Sequence, residues 1–152
     1  MAYDTAEAQQ QLLDALAAAA ADIGFALGAL GDAYERLDDA GADQLEEGLF
    51  GPVQAAYGRA KRTHTEFADR HHLPRGSFET PPAGAPSRGV RDFLEQAVDA
   101  VARADAALAT LQDSMMPVEV GDPELRAGMA EVRRQLGEVA AQAREFVRRL
   151  GR

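Results

Sequence analysis

The chain has 152 residues, a net charge of −9 and no cysteine. That length suits one domain with a real core, and the absence of cysteine excludes disulfides, thiolate metal sites and cysteine nucleophiles. An acidic chain with 46% apolar and 27% charged residues reads as an ordinary globular protein, and it argues against duplex nucleic acid as a partner, because phosphate binding rests on clustered Lys and Arg.

The opening residues Met1-Ala2-Tyr3-Asp4 are acidic rather than basic, so they do not read as a signal peptide. A cytoplasmic protein is expected. Lys61 is the only lysine among 16 basic residues; with the Ala, Gly and Asp richness this points to a GC-rich bacterial source.

The first helix is predicted over residues 5–38. Asp4 can cap it, with Glu7 completing a capping box. Its apolar seam runs Leu13, Leu16, Ala20, Ile23, Leu27, Leu30, Tyr34, Leu37 at alternating three- and four-residue spacing, which keeps one helix face apolar. From Ala15 to Gly31 the only charge is Asp22, so this helix is apolar nearly all round. Such a helix is usually buried on more than one side. The expected reason is an interface on the outer face, formed by Ala18, Ala21, Phe25, Gly28 and Ala29 and closed by a second copy or another protein. A membrane span is disfavoured by the short length and the central Asp22.

The linker 39–42 is short, so the second helix, 44–72, is expected to return antiparallel. Its seam is Phe50, Val53, Tyr57, Ala60, His64, Phe67, His71, and Pro52 predicts a kink or a late start. Residues 73–86 hold four prolines and two glycines, which forbids regular structure. Ser87 can cap the third helix, 88–115, with the seam Val90, Leu94, Ala97, Val101, Ala104, Leu108, Leu111, Met115. After an apolar connection, 116–121, Asp122-Pro123 reads as a cap followed by proline at the first helical position. The fourth helix then runs to residue 150 through Leu125, Met129, Val132, Leu136, Val139, Ala143, Phe146 and Leu150.

Four amphipathic helices predict an all-α, single-domain, antiparallel up-down-up-down four-helix bundle over residues 1–152. That topology would collect Asp32, Glu35, Asp38, Asp39, Asp43, Glu46, Glu47, Asp113, Glu119, Asp122 and Glu124 at one pole. Arg36 and Arg126 are the nearby opposition there, and the other pole would hold Arg59, Lys61, Arg62, Arg70, Arg75, Arg88, Arg91, Arg144, Arg148, Arg149 and Arg152 together with the acids Glu7, Asp69, Glu79, Asp92, Glu95 and Glu145. Helix-dipole matching accounts for part of this pattern; an acidic pole would also suit a basic partner or loosely held divalent cations.

The three histidines cluster near the end of the second helix. His64 and His71 share the seam with Tyr57, but lie about 10.5 Å apart along the axis and cannot share an ion unaided. Asp69 and His72 form half a site. His64, His71, His72 and Asp69 are thus the candidate metal ligands, although the Glu-x-x-His pairs of di-iron bundles and His-Glu-x-x-His are missing. GxSxG, the P-loop and the dinucleotide fingerprint are missing as well. Tyr34-Glu35-Arg36-Leu37-Asp38 resembles the Tyr-x-x-x-Asp export signal of type VII secretion substrates, helical hairpin proteins of actinobacteria. The likeness covers five residues, and the Trp-x-Gly turn of those proteins has no counterpart in a chain without tryptophan, so no family is assigned.

The sequence thus predicts a non-enzymatic interaction or scaffolding protein with no resident cofactor or metal, self-associating through its first helix. The alternative is a ligand- or metal-binding bundle using His64, His71 and Tyr57 near the basic pole.

Overall fold

Helical periodicity dominates the structure, a computed structural model that describes residues 5–76, 78 and 89–150. Those residues form seven α-helices and one π-helical turn, with no strand among them. The elements are α1 (Thr5–Glu35), α2 (Asp39–Leu45), the π turn (Glu46–Phe50), α3 (Gly51–Arg70), α4 (Val90–Asp113), α5 (Met116–Val120), α6 (Pro123–Gly137) and α7 (Val139–Leu150).

These assemble into four columns: α1; α2, the π turn and α3 end to end; α4; and α6 with α7. α1 packs along both α4 and α3, α6 packs on α3 and α4, and α7 packs on α4 and the π turn. One apolar cluster joins all four columns, with Ile23, Leu45, Phe67, Phe93, Leu108 and Leu136 among its fully enclosed members. Each such side chain contributes roughly 1.5–3 kcal/mol by leaving water. α1 is apolar all round partly because it faces two neighbouring columns. It is long and apolar enough to cross a membrane, which no other described helix is, and half of that stretch is buried within the protein.

Side-chain contacts fix the direction of each column. Gln9 reaches His71, so the start of α1 lies beside the end of α3. Arg36 sits over the Phe93 ring, 4.6 Å from its centroid, and Arg103 approaches Asp22. The end of α1 therefore lies beside the start of α4. Asp122 bonds Arg70 and His71, which puts the start of α6 at the end of α3. α3 and α4 are both antiparallel to α1, so they run the same way.

This corrects the expected up-down-up-down order to up-down-down-up. The short first and last links do join antiparallel neighbours. The 19-residue connection 71–89 instead returns the chain to the end where α2 began. At up to about 3.3 Å per extended residue it has ample length for this, since a 20-residue helix is only about 30 Å long. The expected segregation of charge falls with the topology. Asp113, Glu119, Asp122 and Glu124 lie at the same end as Arg70 and Arg75. Arg91, Arg144, Arg148 and Arg149 lie at the end that holds Asp38, Glu46 and Glu47. Both ends mix signs. Arg88 and Arg152 lie outside the described residues.

Local differences have local causes. α1 stops at Glu35, and α2 begins at Asp39, five residues early, because the Asp38 carboxylate accepts the Gly41 amide at 2.8 Å and caps it. Pro52 does not delay the second column; the chain widens into the π turn just before it, which accommodates the missing amide donor. The apolar connection after α4 is itself helical, α5, closed by Gly121 at φ 72°. Pro117 is buried there, while Met115 and Val118 stay exposed. The fourth column breaks at Glu138, where α6 ends and α7 begins. Asp122 caps α6 as expected, accepting from the Leu125 amide at 2.8 Å. Asp4 and Ser87, the other expected caps, lie outside the described residues.

α3 and α6 approach closely at Gly128. A Cβ there would meet the Thr63 hydroxyl oxygen and lie 2.7 Å from its methyl carbon. Thr63 cannot easily yield, since its hydroxyl is tied to the Arg59 carbonyl at 2.8 Å. Gly128→Ala is expected to cost roughly 1–3 kcal/mol by overpacking. Urea denaturation of the two proteins measures it, and equal midpoints would refute the close contact.

Candidate functional site

The described residues hold one buried carboxylate, Asp122, whose side chain is 2% exposed. Three elements converge on it. Arg70, in the last turn of α3, donates two hydrogen bonds, Nε to Oδ2 at 3.0 Å and Nη2 to Oδ1 at 2.7 Å. The Leu125 amide of α6 donates a third. His71 lies with Nε2 2.8 Å from Oδ2, and its Nδ1 is 2.9 Å from the Gln9 amide nitrogen of α1. In the Nε2–H tautomer the ring donates to Asp122 and accepts from Gln9, so one proton arrangement satisfies the whole chain of groups.

Burial alone would raise the Asp122 carboxyl. The hydrogen bonds from Arg70, Leu125 and His71, with the Arg70 charge, outweigh it and hold the group below its ordinary value. The arrangement is a bidentate, charge-assisted clasp.

The candidate metal ligands do not come together. Both ring nitrogens of His71 are engaged. Asp69 is held by Arg75 in a two-point ion pair at 2.8 and 2.7 Å, and the hydrogen bond from Arg75 lowers its pKa. His72 has φ 56°, the left-handed conformation that ends α3, and the Leu73 amide reaches back to the Ala68 carbonyl. Tyr57 carries the Lys61 ammonium over its ring at 4.3 Å. No group of three or more His, Asp or Glu suited to a metal occurs among the described residues.

His64 is 2% exposed and sits beneath Gly76 and Phe78, the Phe78 ring edge-on at 4.9 Å between centroids. Its Nδ1 is buried without a hydrogen-bond partner. Burial lowers its pKa, and the Asp14 charge opposes this more weakly. The neutral imidazole here packs as part of the core.

The expected interface on α1 is only partly a surface. Ala29 is fully buried and leaves the set, because it points into the core along with Ala26, Leu30 and Ala33. Phe25 is half-buried against the core, Ala21 and Gly28 are half-buried, and Ala18 is exposed.

Two grooves open elsewhere. One, of about 430 Å³, lies where the π turn meets the Glu138 break, between Glu47, Gly48, Pro52, Gln142, Phe146 and Arg149. The other, of about 590 Å³, runs between α4 and α7. Leu94 and Ala143 form its floor and the half-buried Val98 and Val147 its flanks. Glu95 and Asp99 stand on one rim, Arg144 and Arg148 on the other. The sequence carried a signal for it: Val98 and Val147 lie beside the seams and widen the apolar stripe on both helices.

The chain matches no family model, no curated protein and no solved structure.

Two outcomes follow from the buried groups. Asp122→Asn is expected to lower stability at neutral pH by about 1–3 kcal/mol, since Arg70 and His71 lose their anion. The folded Asp122 pKa is depressed, so its contribution is present above the unfolded value of about 3.9 and is lost as pH falls through the lower folded value. The variant should therefore show a flatter acid limb in a pH series of denaturation midpoints; an unchanged limb would refute the clasp. For His64 the folded pKa is also depressed, but the group is a base. The unfolded chain takes its proton first as pH falls through about 6.5, so stability drops below that point. His64→Leu should remove this drop and stay within about 1 kcal/mol of the native protein at neutral pH. An NMR titration placing His64 at or above the ordinary histidine range would contradict it.

Proposed function

We propose that this protein is a non-enzymatic interaction or scaffolding module, a four-helix bundle of cytoplasmic location that self-associates through apolar surface. The observation that carries this reading is the open groove between α4 and α7, where the half-buried Val98 and Val147 leave apolar surface between charged rims. The buried polar groups support it from the other side. Asp122, Arg70 and His71 are spent on joining helices, and none of the three lines either groove.

The outer stripe of α1, reduced to Ala18, Ala21, Phe25 and Gly28, is the second apolar face available for docking. The ligand- or metal-binding alternative is weaker, because His64, His71 and Tyr57 each have separate surroundings.

Light scattering across a dilution series tests self-association. The native protein is expected to exceed monomer mass at the higher concentrations and fall toward it on dilution. A monomer at every concentration would overturn self-association. Phe25→Asp identifies the face: loss of the larger species with helicity intact assigns it to α1, and retention assigns it elsewhere.

A further inference from the structure

We propose that the groove between α4 and α7 is an interface for a second copy of this chain, seated about a two-fold axis that runs along the groove. This rests on the self-association reading above and names its surface and geometry.

The argument begins with the rims. α4 starts at the end of the molecule where α7 finishes, so along the groove Glu95 then Asp99 on one rim run beside Arg148 then Arg144 on the other. Yet no ion pair joins the two rims among the described residues; Arg148 turns to Glu145 on its own helix at 2.7 Å, and Arg149 does the same at 3.7 Å. The groove thus holds opposite charges apart, with the half-buried Val98 and Val147 between them over the buried Leu94 and Ala143.

A homodimer interface must be self-complementary: where residue i meets j, j meets i. A two-fold axis perpendicular to the groove within the interface plane would set acid on acid and Arg on Arg. An axis along the groove exchanges the rims. The Glu95 and Asp99 rim of one protomer then meets the Arg148 and Arg144 rim of its partner at the same level, giving four opposite-charge encounters. Val98 of each copy falls opposite Val147 of the other, which closes the apolar strip from both sides. Only the second arrangement satisfies charge and apolar surface together, and it needs no partner of other chemistry.

The test is charge exchange at exposed positions, with circular dichroism verifying the fold of each variant. Asp99→Arg alone sets Arg against Arg144 of the partner subunit, and Arg144→Glu alone sets Glu against Asp99 of the partner subunit. Each is expected to weaken the dimer by about tenfold, since like charges across an interface disfavour it. The double variant Asp99→Arg/Arg144→Glu restores opposite charges and is expected to recover native association. An equimolar mixture of the two single variants should form a heterodimer for the same reason. Phe25→Asp is expected to leave the dimer unchanged. If single variants weaken association and neither the double variant nor the mixture restores it, the geometry is wrong. If the groove variants associate like the native chain, the groove is not the interface, though self-association stands. A native chain that is monomeric throughout overturns both.

Discussion

The architecture depends on one ion pair at the end of α3. Arg70 and His71 close that helix, and Asp122 opens α6; their union ties the second column to the fourth, and Gln9 brings the first to the same point. A carboxylate enclosed by protein is costly unless its lone pairs are filled, and Asp122 receives donors from both partners and from the backbone it caps. Had α4 risen from the end of α3, as the simplest winding would have it, Asp122 would have emerged at the far end among Asp38, Asp39, Glu46 and Glu47. The observed path brings opposite charges together, and the core helices can assemble without a tip of concentrated like charge.

The helices themselves were legible. Seams at three- and four-residue spacing identify the faces that become core: Leu16, Ile23 and Leu30 in α1, Leu94, Val101 and Leu108 in α4, Leu125, Val132 and Leu136 in α6 are all buried. The Asp122-Pro123 start was readable because capping is a contact between residues three apart. The winding was not. Periodicity says which face of a helix is apolar, and nothing about which neighbour it meets or which way that neighbour runs. The deciding contacts, Asp122 with Arg70 and Arg36 with Phe93, join residues more than fifty positions apart. A connection as long as 71–89 is compatible with either direction.

The histidines show the same limit at the level of a site. A shared seam suggested common purpose for His64 and His71. In the fold, about two turns of backbone separate an imidazole that works as a hydrogen-bond relay from one enclosed as a flat apolar ring against Phe78. The same residue type serves two ends according to whether Asp122 or an aromatic edge lies beside it. Ala29 likewise was expected on the outer face of the first helix, yet helices packed on two sides of α1 enclose it. The α4 and α7 groove went unread because it belongs to two helices far apart in the chain, each of which shows only an off-seam valine.

The π turn over Glu46–Phe50 bears on how the second column keeps its register. Leu45, Leu49 and Val53 are all buried though spaced four and four, a rhythm that would carry an ordinary helix progressively off its core face. The wider turn absorbs that drift, as one surplus residue held inside an otherwise regular rod. A chain shortened by one position at this point would close into plain α-helix with Val53, Ala56, Ala60 and Phe67 still facing inward, so length variation in this column has a natural home directly beside the Pro52 rim of the smaller groove.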